Sequence, residues 1–296
     1  MPTPPPPAPG PSWQSNVLET CFRLFRFPRL FLWFSKQSKY RAGDFKTPTR
    51  LGFTTELIAG LRCYWVNESC QERGVMVYLP GGGFVTGPMK AHWEHCLRMS
   101  RRLRYAVLVI PYPLAPQHPF PAALDSITAV IQELQRQQRI PDNWLISGDS
   151  AGGNLALTTT LTLRQQGAPL PGKLVLLSPV VNMNKVKYEG NPPDPMLSAD
   201  YRTYIDQVYV QQADPADPLL SPIFADLSGL PPILIQMGTH DILIHEVRKL
   251  VQQMQTAGQP VRFEEYTSMI HVFMLFWWLP EAHQAIRDQV AFITRT

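Results

Sequence analysis

NWLISGDSAGGNLAL, residues 143–157, runs from an apolar strand pattern through Gly148-Asp149-Ser150-Ala151-Gly152 straight into a helical pattern. A serine at such a junction sits on a sharp strand-to-helix turn, with its hydroxyl exposed above the sheet. Glycines on both sides let strand and helix approach closely. The helix N-terminus behind the turn adds a positive dipole and free N–H groups. The five residues alone are a weak signal, but between a buried strand and a helix they are a specific one. Ser150 is the candidate nucleophile.

Outward from this turn the chain alternates. LRCYWV (61–66) and GVMVYLP (74–80) read as adjacent strands, which implies an antiparallel edge. AVLVIP (106–111), KLVLLSP (173–179) and PILIQMG (232–238) are continuous apolar runs, the pattern of strands buried on both faces. RFEEYT (262–267) is expected as a last strand. Helical patterns fall near 89–103, 123–139, 151–167, 244–257 and 281–294; in the second, Leu124, Ile127, Val130, Ile131 and Leu134 share one side. The expected class is α/β, with a mostly parallel central sheet, helices on both faces and ligand sites at the carboxyl ends of the strands. Residues 182–226 break the rhythm with PPDP, DPADP and several tyrosines, and read as an inserted lid.

A serine hydroxyl needs a base. Of seven histidines, His271 follows the last strand directly, where a loop can reach over the sheet to Ser150. His92 and His95 (HWEH) have the spacing of metal ligands without a third ligand, and are expected as solvated helix residues. His118 lies in a proline-rich loop; His240, His245 and His283 flank or sit on helices. The base needs a carboxylate to hold its tautomer. Asp241, closing strand 232–238, is the first candidate and Glu246, a turn further on, the weaker one. The order Ser150, Asp241, His271 is that of α/β-hydrolases. Gly81-Gly82-Gly83 after an early strand then has a purpose, since backbone amides there can face an oxyanion where side chains would block the approach. Gly82, Gly83 and the amide of Ala151 are the expected donors. A phosphate-binding loop would need GxxxxGK[ST], and Phe84-Val85-Thr86 supplies no lysine.

With these residues assembled, the chain resembles the hormone-sensitive-lipase-like esterases of the α/β-hydrolase superfamily, and looks most like their fungal steryl acetyl hydrolase branch. The matching pieces are PGGGF (80–84), PYPLAPQHPFPAAL (111–124), GDSAGGNLAL (148–157), LSPVVN (177–182), GTHDIL (238–243) and IHVF (270–273). The resemblance implies an α/β-hydrolase fold with a helical cap, built from the N-terminal segment and the 182–226 insertion, over an acyl pocket. One departure stands out: the family usually places histidine before the glycines, and here it is Pro80, which offers no N–H. The hydrogen bond by which that histidine would order the loop is therefore expected to be missing.

The chain has 296 residues, 45% of them hydrophobic, enough for one sizeable core. Its net charge of +4 is scattered, with no basic run interleaved with aromatics, which excludes a nucleic-acid surface. Cys21, Cys63, Cys70 and Cys96 form no CxxC pair and are expected as reduced thiols. Residues 1–12 read as a disordered proline-rich tail, 13–50 as an amphipathic N-terminal cap segment and 51–296 as the hydrolase domain. Within 13–36, Arg23, Arg26 and Arg29 interrupt aromatics and leucines, and Pro28 is expected to break any helix. That segment either packs on its own domain or lies on a membrane. Cytoplasmic placement is expected, with membrane or endoplasmic-reticulum association as the extension. The expected activity is hydrolysis of a small-acyl ester on an apolar substrate, a sterol or secondary metabolite, through an acyl-enzyme and without metal or cofactor. Acyl transfer, carrier release by a thioesterase, and a non-catalytic binding protein on the same scaffold are the alternatives.

Overall fold

Apolar runs bounded by turns place eight strands in one sheet. In a computed structural model, which describes residues 10–37, 49–184 and 194–295, these are β1 (Thr54–Ile58), β2 (Leu61–Val66), β3 (Val75–Leu79), β4 (Ala106–Val109), β5 (Leu145–Asp149), β6 (Lys173–Leu177), β7 (Ile233–Gly238) and β8 (Val261–Tyr266). The order is β1-β2-β4-β3-β5-β6-β7-β8. β1, β2 and β4 pair antiparallel, and every pairing from β4/β3 onward is parallel. The side chains of β3, β4, β5 and β7 are buried throughout, as continuous apolar strands covered on both faces should be. β8, at an edge, is only half-buried and alternates charge into its sequence. β1 is a strand that the sequence reading did not anticipate: Thr54, Thr55 and Leu57 are exposed, so it carries little apolar signal and is held by its hairpin with β2.

The helices of the alternating series are α3 (Lys90–Leu103), α4 (Ala122–Arg136), α5 (Ala151–Gln165), α7 (Ile244–Thr256) and α8 (Pro280–Thr294). α3 packs with α8, and α4 with α5. α5, behind the turn at Ser150, is buried on nearly every side, which explains why Ala151 to Leu163 holds only small and apolar residues and threonines apart from Asn154, whose amide donates to the Val180 and Leu220 carbonyls. Before the sheet lie α1 (Trp13–Leu24) and α2 (Phe27–Gln37). The break between them falls at Phe25 and Arg26, not at Pro28, which sits in the first turn of α2. There a missing N–H leaves no intrahelical bond unmade. The insertion contributes α6 (Ala199–Ile205), extended by a π-helical turn, Asp206–Val210. Residues 1–9 of the expected tail, 38–48 of the expected cap segment and 185–193 of the insertion lie outside the described residues. Phe31 on α2 meets Tyr201 on α6 with ring centroids 5.0 Å apart, so the N-terminal helices rest on the insertion. Cys21, Cys63, Cys70 and Cys96 are free thiols.

Candidate active site

Ser150 forms the N-cap of α5 at φ 52°, ψ −117°, a region that side-chain-bearing residues occupy only when their surroundings hold them there. Its amide donates to the Leu177 carbonyl on β6 at 2.8 Å, and its own carbonyl accepts from the amides of Asn154 and Val180. The turn can be this sharp because α5 crosses the end of β3 at Gly152, where a Cβ would strike the Leu79 carbonyl.

The loop after β8 brings His271 over the sheet. Its Nε2 lies 2.9 Å from the Ser150 Oγ and its Nδ1 2.8 Å from the Asp241 Oδ2. A carboxylate can only accept, so Nδ1–H donates to Asp241 and Nε2 is left to accept from the serine hydroxyl. Asp241 is fixed in turn by the Leu243 amide, which donates to its Oδ1 at 3.0 Å. Burial alone would push the His271 pKa down. The charge of Asp241 and its hydrogen bond, with Asp194 and Asp149 behind, outweigh that and raise the net value above that of an ordinary histidine. Glu246, the weaker candidate, takes no part. It accepts from Asn182 at 2.7 Å and pairs with Lys249 at 2.8 Å.

Asp194 is a site residue that sequence reasoning missed. It is buried, and it accepts from the Ile242 amide at 2.9 Å and from the Met196 amide at 2.7 Å. It therefore ties the entry to α6 to the loop that carries Asp241. Burial first, and the nearby Asp241 charge second, push its pKa up to about 6. Only its position in PPDP marks it in the sequence, and nothing there announces a fold partner.

The glycine loop lies beside Ser150. Gly82 and Gly83 have φ 128° and 60°, and a Cβ on Gly83 would collide with the Tyr201 hydroxyl of α6. Val85 and Thr86 donate to the Gly82 carbonyl, closing the loop so that its amides point away from its own backbone. Among the described residues the amides of Gly82, Gly83 and Ala151 have no hydrogen-bond acceptor. That leaves three donors free at the opening of α5.

What orders this loop in the absence of a histidine at position 80 is Asp149. Its Oδ1 accepts from the Gly81 amide at 2.9 Å and from the Tyr78 hydroxyl at 2.6 Å. The Tyr112 hydroxyl donates to the Pro80 carbonyl at 2.7 Å. On the other side of the carboxylate stands His92. Its Nδ1 accepts from the Met89 amide at 2.8 Å, so its Nε2–H faces the Asp149 Oδ2 at 3.2 Å. Burial would push the Asp149 pKa up. The pull of the His92 ring, with the bonds from Tyr78 and Gly81, outweighs it and holds the carboxyl below its usual value. The expectation that His92 and His95 are solvated is therefore wrong. Both are buried. His95 packs against the Tyr78 ring at 5.5 Å, and burial pulls its pKa down to about 4. The available signal was the carboxylate beside the nucleophile: a buried charge needs partners, and the histidines of α3 were the candidates. Of the remaining histidines, His240 bonds Glu19 of α1 at 3.0 Å, while His118, His245 and His283 are exposed.

Above Ser150 lies a cavity of about 40 Å³, walled by Val180, Met183, Leu197, Tyr201, Ile205 and Leu243 among others. It has room for roughly three water-sized groups, and its walls are mostly apolar, with Ser198 and Arg202 also lining it.

Sheet order, serine turn and glycine loop together define an α/β-hydrolase. The family described as the alpha/beta hydrolase fold matches residues 76–275. The chain is 34% identical over 242 residues to an esterase of Acinetobacter venetianus, covering 80% of each chain. It is 35% identical over 236 residues to an acetyl-hydrolase of Streptomyces hygroscopicus, covering 77% of this chain and 78% of the relative. A solved esterase of the bacterial hormone-sensitive lipase family superposes with a TM-score of 0.80 at 29% identity, over 95% of this chain and 97% of the other. The chain belongs to the α/β-hydrolase family, and within it to the hormone-sensitive-lipase-like esterases.

Proposed function

We propose that the chain is a serine esterase that removes a small acyl group, acetyl above all, from an apolar ester such as a sterol or a secondary metabolite. The observation that carries this reading is His271, whose two ring nitrogens bridge Ser150 and Asp241 at 2.9 and 2.8 Å. In the first half-reaction the Ser150 oxygen attacks the ester carbonyl while its proton passes to Nε2. Asp241 keeps Nδ1–H in place and balances the imidazolium charge. The carbonyl oxygen, now an oxyanion, faces the amides of Gly82, Gly83 and Ala151. His271 then gives its proton to the departing alkoxide, and the alcohol leaves an acyl-Ser150. In the second half-reaction a water gives a proton to His271 and attacks the acyl carbon. The acid departs as Ser150 regains its hydrogen.

The small cavity supports a short acyl group, and its apolar walls support an apolar one. The Streptomyces relative, named an acetyl-hydrolase, points the same way. In this reading α1, α2 and α6 form the cap, cytoplasmic placement is retained, and residues 13–36 contact a membrane. The test is hydrolysis of p-nitrophenyl esters of increasing chain length by the protein and by Ser150→Ala. Acetate should be turned over faster than octanoate, and the variant should be inert and unreactive toward a fluorophosphonate. Full activity in Ser150→Ala would refute the mechanism, and equal rates on octanoate would refute the small acyl pocket.

A further inference from the structure

A helix whose apolar side chains extend beyond its packed side leaves the rest without a partner. α2 (FPRLFLWFSKQ) is such a helix. Phe27 and Phe31 stack inward with Phe22 of α1 and Tyr201 of α6. Leu30, Trp33 and Phe34, at spacings of three and four, form a second apolar stripe that faces out, with Trp33 and Phe34 each 56% exposed. Leu24 and Phe25, at the turn before α2, are exposed as well. So is Trp278, joined to α1 through Phe276 and Phe22. The charges that α2 and the turn before it add to this surface are positive. Arg26, Arg29 and Lys36 are exposed; Arg26 and Arg29 form no ion pair among the described residues, although they share a cleft with Asp200 of α6, and the Lys36 ammonium lies 5.5 Å from the centre of the Tyr204 ring. Glu19, the one acidic residue of α1 and α2, is taken up by Arg23 and His240.

We infer that this face docks on an anionic lipid surface, with Leu30, Trp33 and Phe34 in the headgroup–acyl boundary and Arg26, Arg29 and Lys36 on the headgroups. This rests on the esterase reading only for its purpose, delivery of an apolar ester. Tryptophan, phenylalanine and leucine beside arginine and lysine are the composition of helices that lie in a membrane interface, and tryptophan favours that depth. No helix among the described residues is long and apolar enough to cross a membrane, so the contact is peripheral. Charge complementarity selects this occupant over a second copy of the chain. A two-fold dimer on this patch would set the same positive charges face to face. Docking here also places the lipid next to the cap. Phe31 on the inner side of α2 touches Tyr201, and Tyr201 lines the cavity above Ser150.

The experiment is flotation of the full chain with vesicles of phosphatidylcholine, with and without phosphatidylserine, together with sizing in solution and hydrolysis of p-nitrophenyl acetate. The protein should float with the anionic vesicles and far less with the neutral ones. Arg26→Ala with Arg29→Ala should weaken partitioning roughly thirtyfold, since each basic side chain near an anionic leaflet contributes about fivefold. Trp33→Ser with Phe34→Ser should abolish flotation while leaving p-nitrophenyl acetate turnover unchanged, which shows that the variant is folded. Equal flotation of wild type and the Trp33/Phe34 variant overturns the inference. So does a wild-type dimer that the variant breaks without any flotation to lose. Flotation without ester hydrolysis would sink the esterase reading alone, and hydrolysis without flotation would sink the lipid surface alone.

Discussion

Two buried histidine–aspartate pairs flank Ser150, and they differ in what the second ring nitrogen of the histidine faces. In His271–Asp241 the carboxylate holds Nδ1, and Nε2 is aimed at a hydroxyl 2.9 Å away. In His92–Asp149 both ring nitrogens are already engaged, one by the Met89 amide and the other by the carboxylate. The first pair has a lone pair available to take a proton. The second has none, and its carboxylate is turned to Gly81 and Tyr78. Pairing and burial are common to both, so neither distinguishes a base from a brace. What does so is a ring nitrogen that accepts from a nucleophile's hydroxyl and not from a backbone amide.

The first way to break the comparison is to remove the proton pathway. Ser150→Ala or His271→Ala should lower kcat on p-nitrophenyl acetate by on the order of a millionfold, and Asp241→Asn by about ten-thousandfold, the scale for loss of a triad member or of its tautomer. Esterase rates within tenfold of wild type in any of the three would collapse the distinction. The next effect belongs to the brace. Asp149→Ala strips the partners from Gly81, Tyr78 and His92, so the amides of Gly82 and Gly83, proposed to face the oxyanion, lose their register. A loss of about a hundredfold in kcat is expected, at the lower end for an oxyanion donor. A lower melting temperature should accompany it, because buried donors left unpaired cost about 1–3 kcal/mol each. His92→Gln, made in the otherwise wild-type protein, keeps a donor toward Asp149 and should retain most of both rate and stability. His92→Gln keeps the Asp149 charge, so the midpoint of its pH–rate profile should stay where it is, whereas Asp149→Ala removes the weakest of the carboxylates that raise the His271 pKa and should move it only slightly, to lower pH. A shift in the His92→Gln midpoint would mean that the brace acts on the base and not only on the loop.

The difference between the pairs also marks what a sequence discloses. The Ser150 turn was legible because strand, glycines and helix must be contiguous to make it, and the sheet was legible because strands buried on both faces are apolar without interruption. Asp241 and His271 were legible because each follows a strand end, where the fold gathers ligands. His92 and His95 were misread because HWEH sits in a helix with lysine, arginine and glutamate, and helical periodicity does not say whether the inner face meets a charge. The bond expected to be lost with Pro80 has its counterpart in bonds from Asp149 and Tyr112, residues 69 and 32 positions further along the chain. Long-range polar pairing of that kind leaves no periodic trace. The strand β1 escaped because an exposed edge needs no apolar pattern.

The smallest expected effect tests whether the His271–Asp241 pair stands alone. His271 must be neutral to accept the serine proton, so kcat/KM should rise with pH through a midpoint above about 6.5, the ordinary histidine value. Three carboxylates contribute to holding it there: Asp241, then Asp194, then Asp149. Asp194 does so only while it is ionised, and its own pKa is pushed up to about 6. Replacing it with asparagine removes a negative charge that favours the imidazolium. The sign follows directly: His271 then gives up its proton more readily, and the acid limb of the profile moves to lower pH. The shift should be under about one unit, since the Asp241 contact, at hydrogen-bonding distance, remains. Asp194 also accepts from Ile242 and Met196, and asparagine can keep one oxygen in those bonds, so kcat on the alkaline plateau should change less than the midpoint does. An unmoved midpoint would confine the electrostatics of catalysis to Asp241. A fall in plateau rate with no movement of the limb would make Asp194 a structural tie between insertion and sheet, and nothing more.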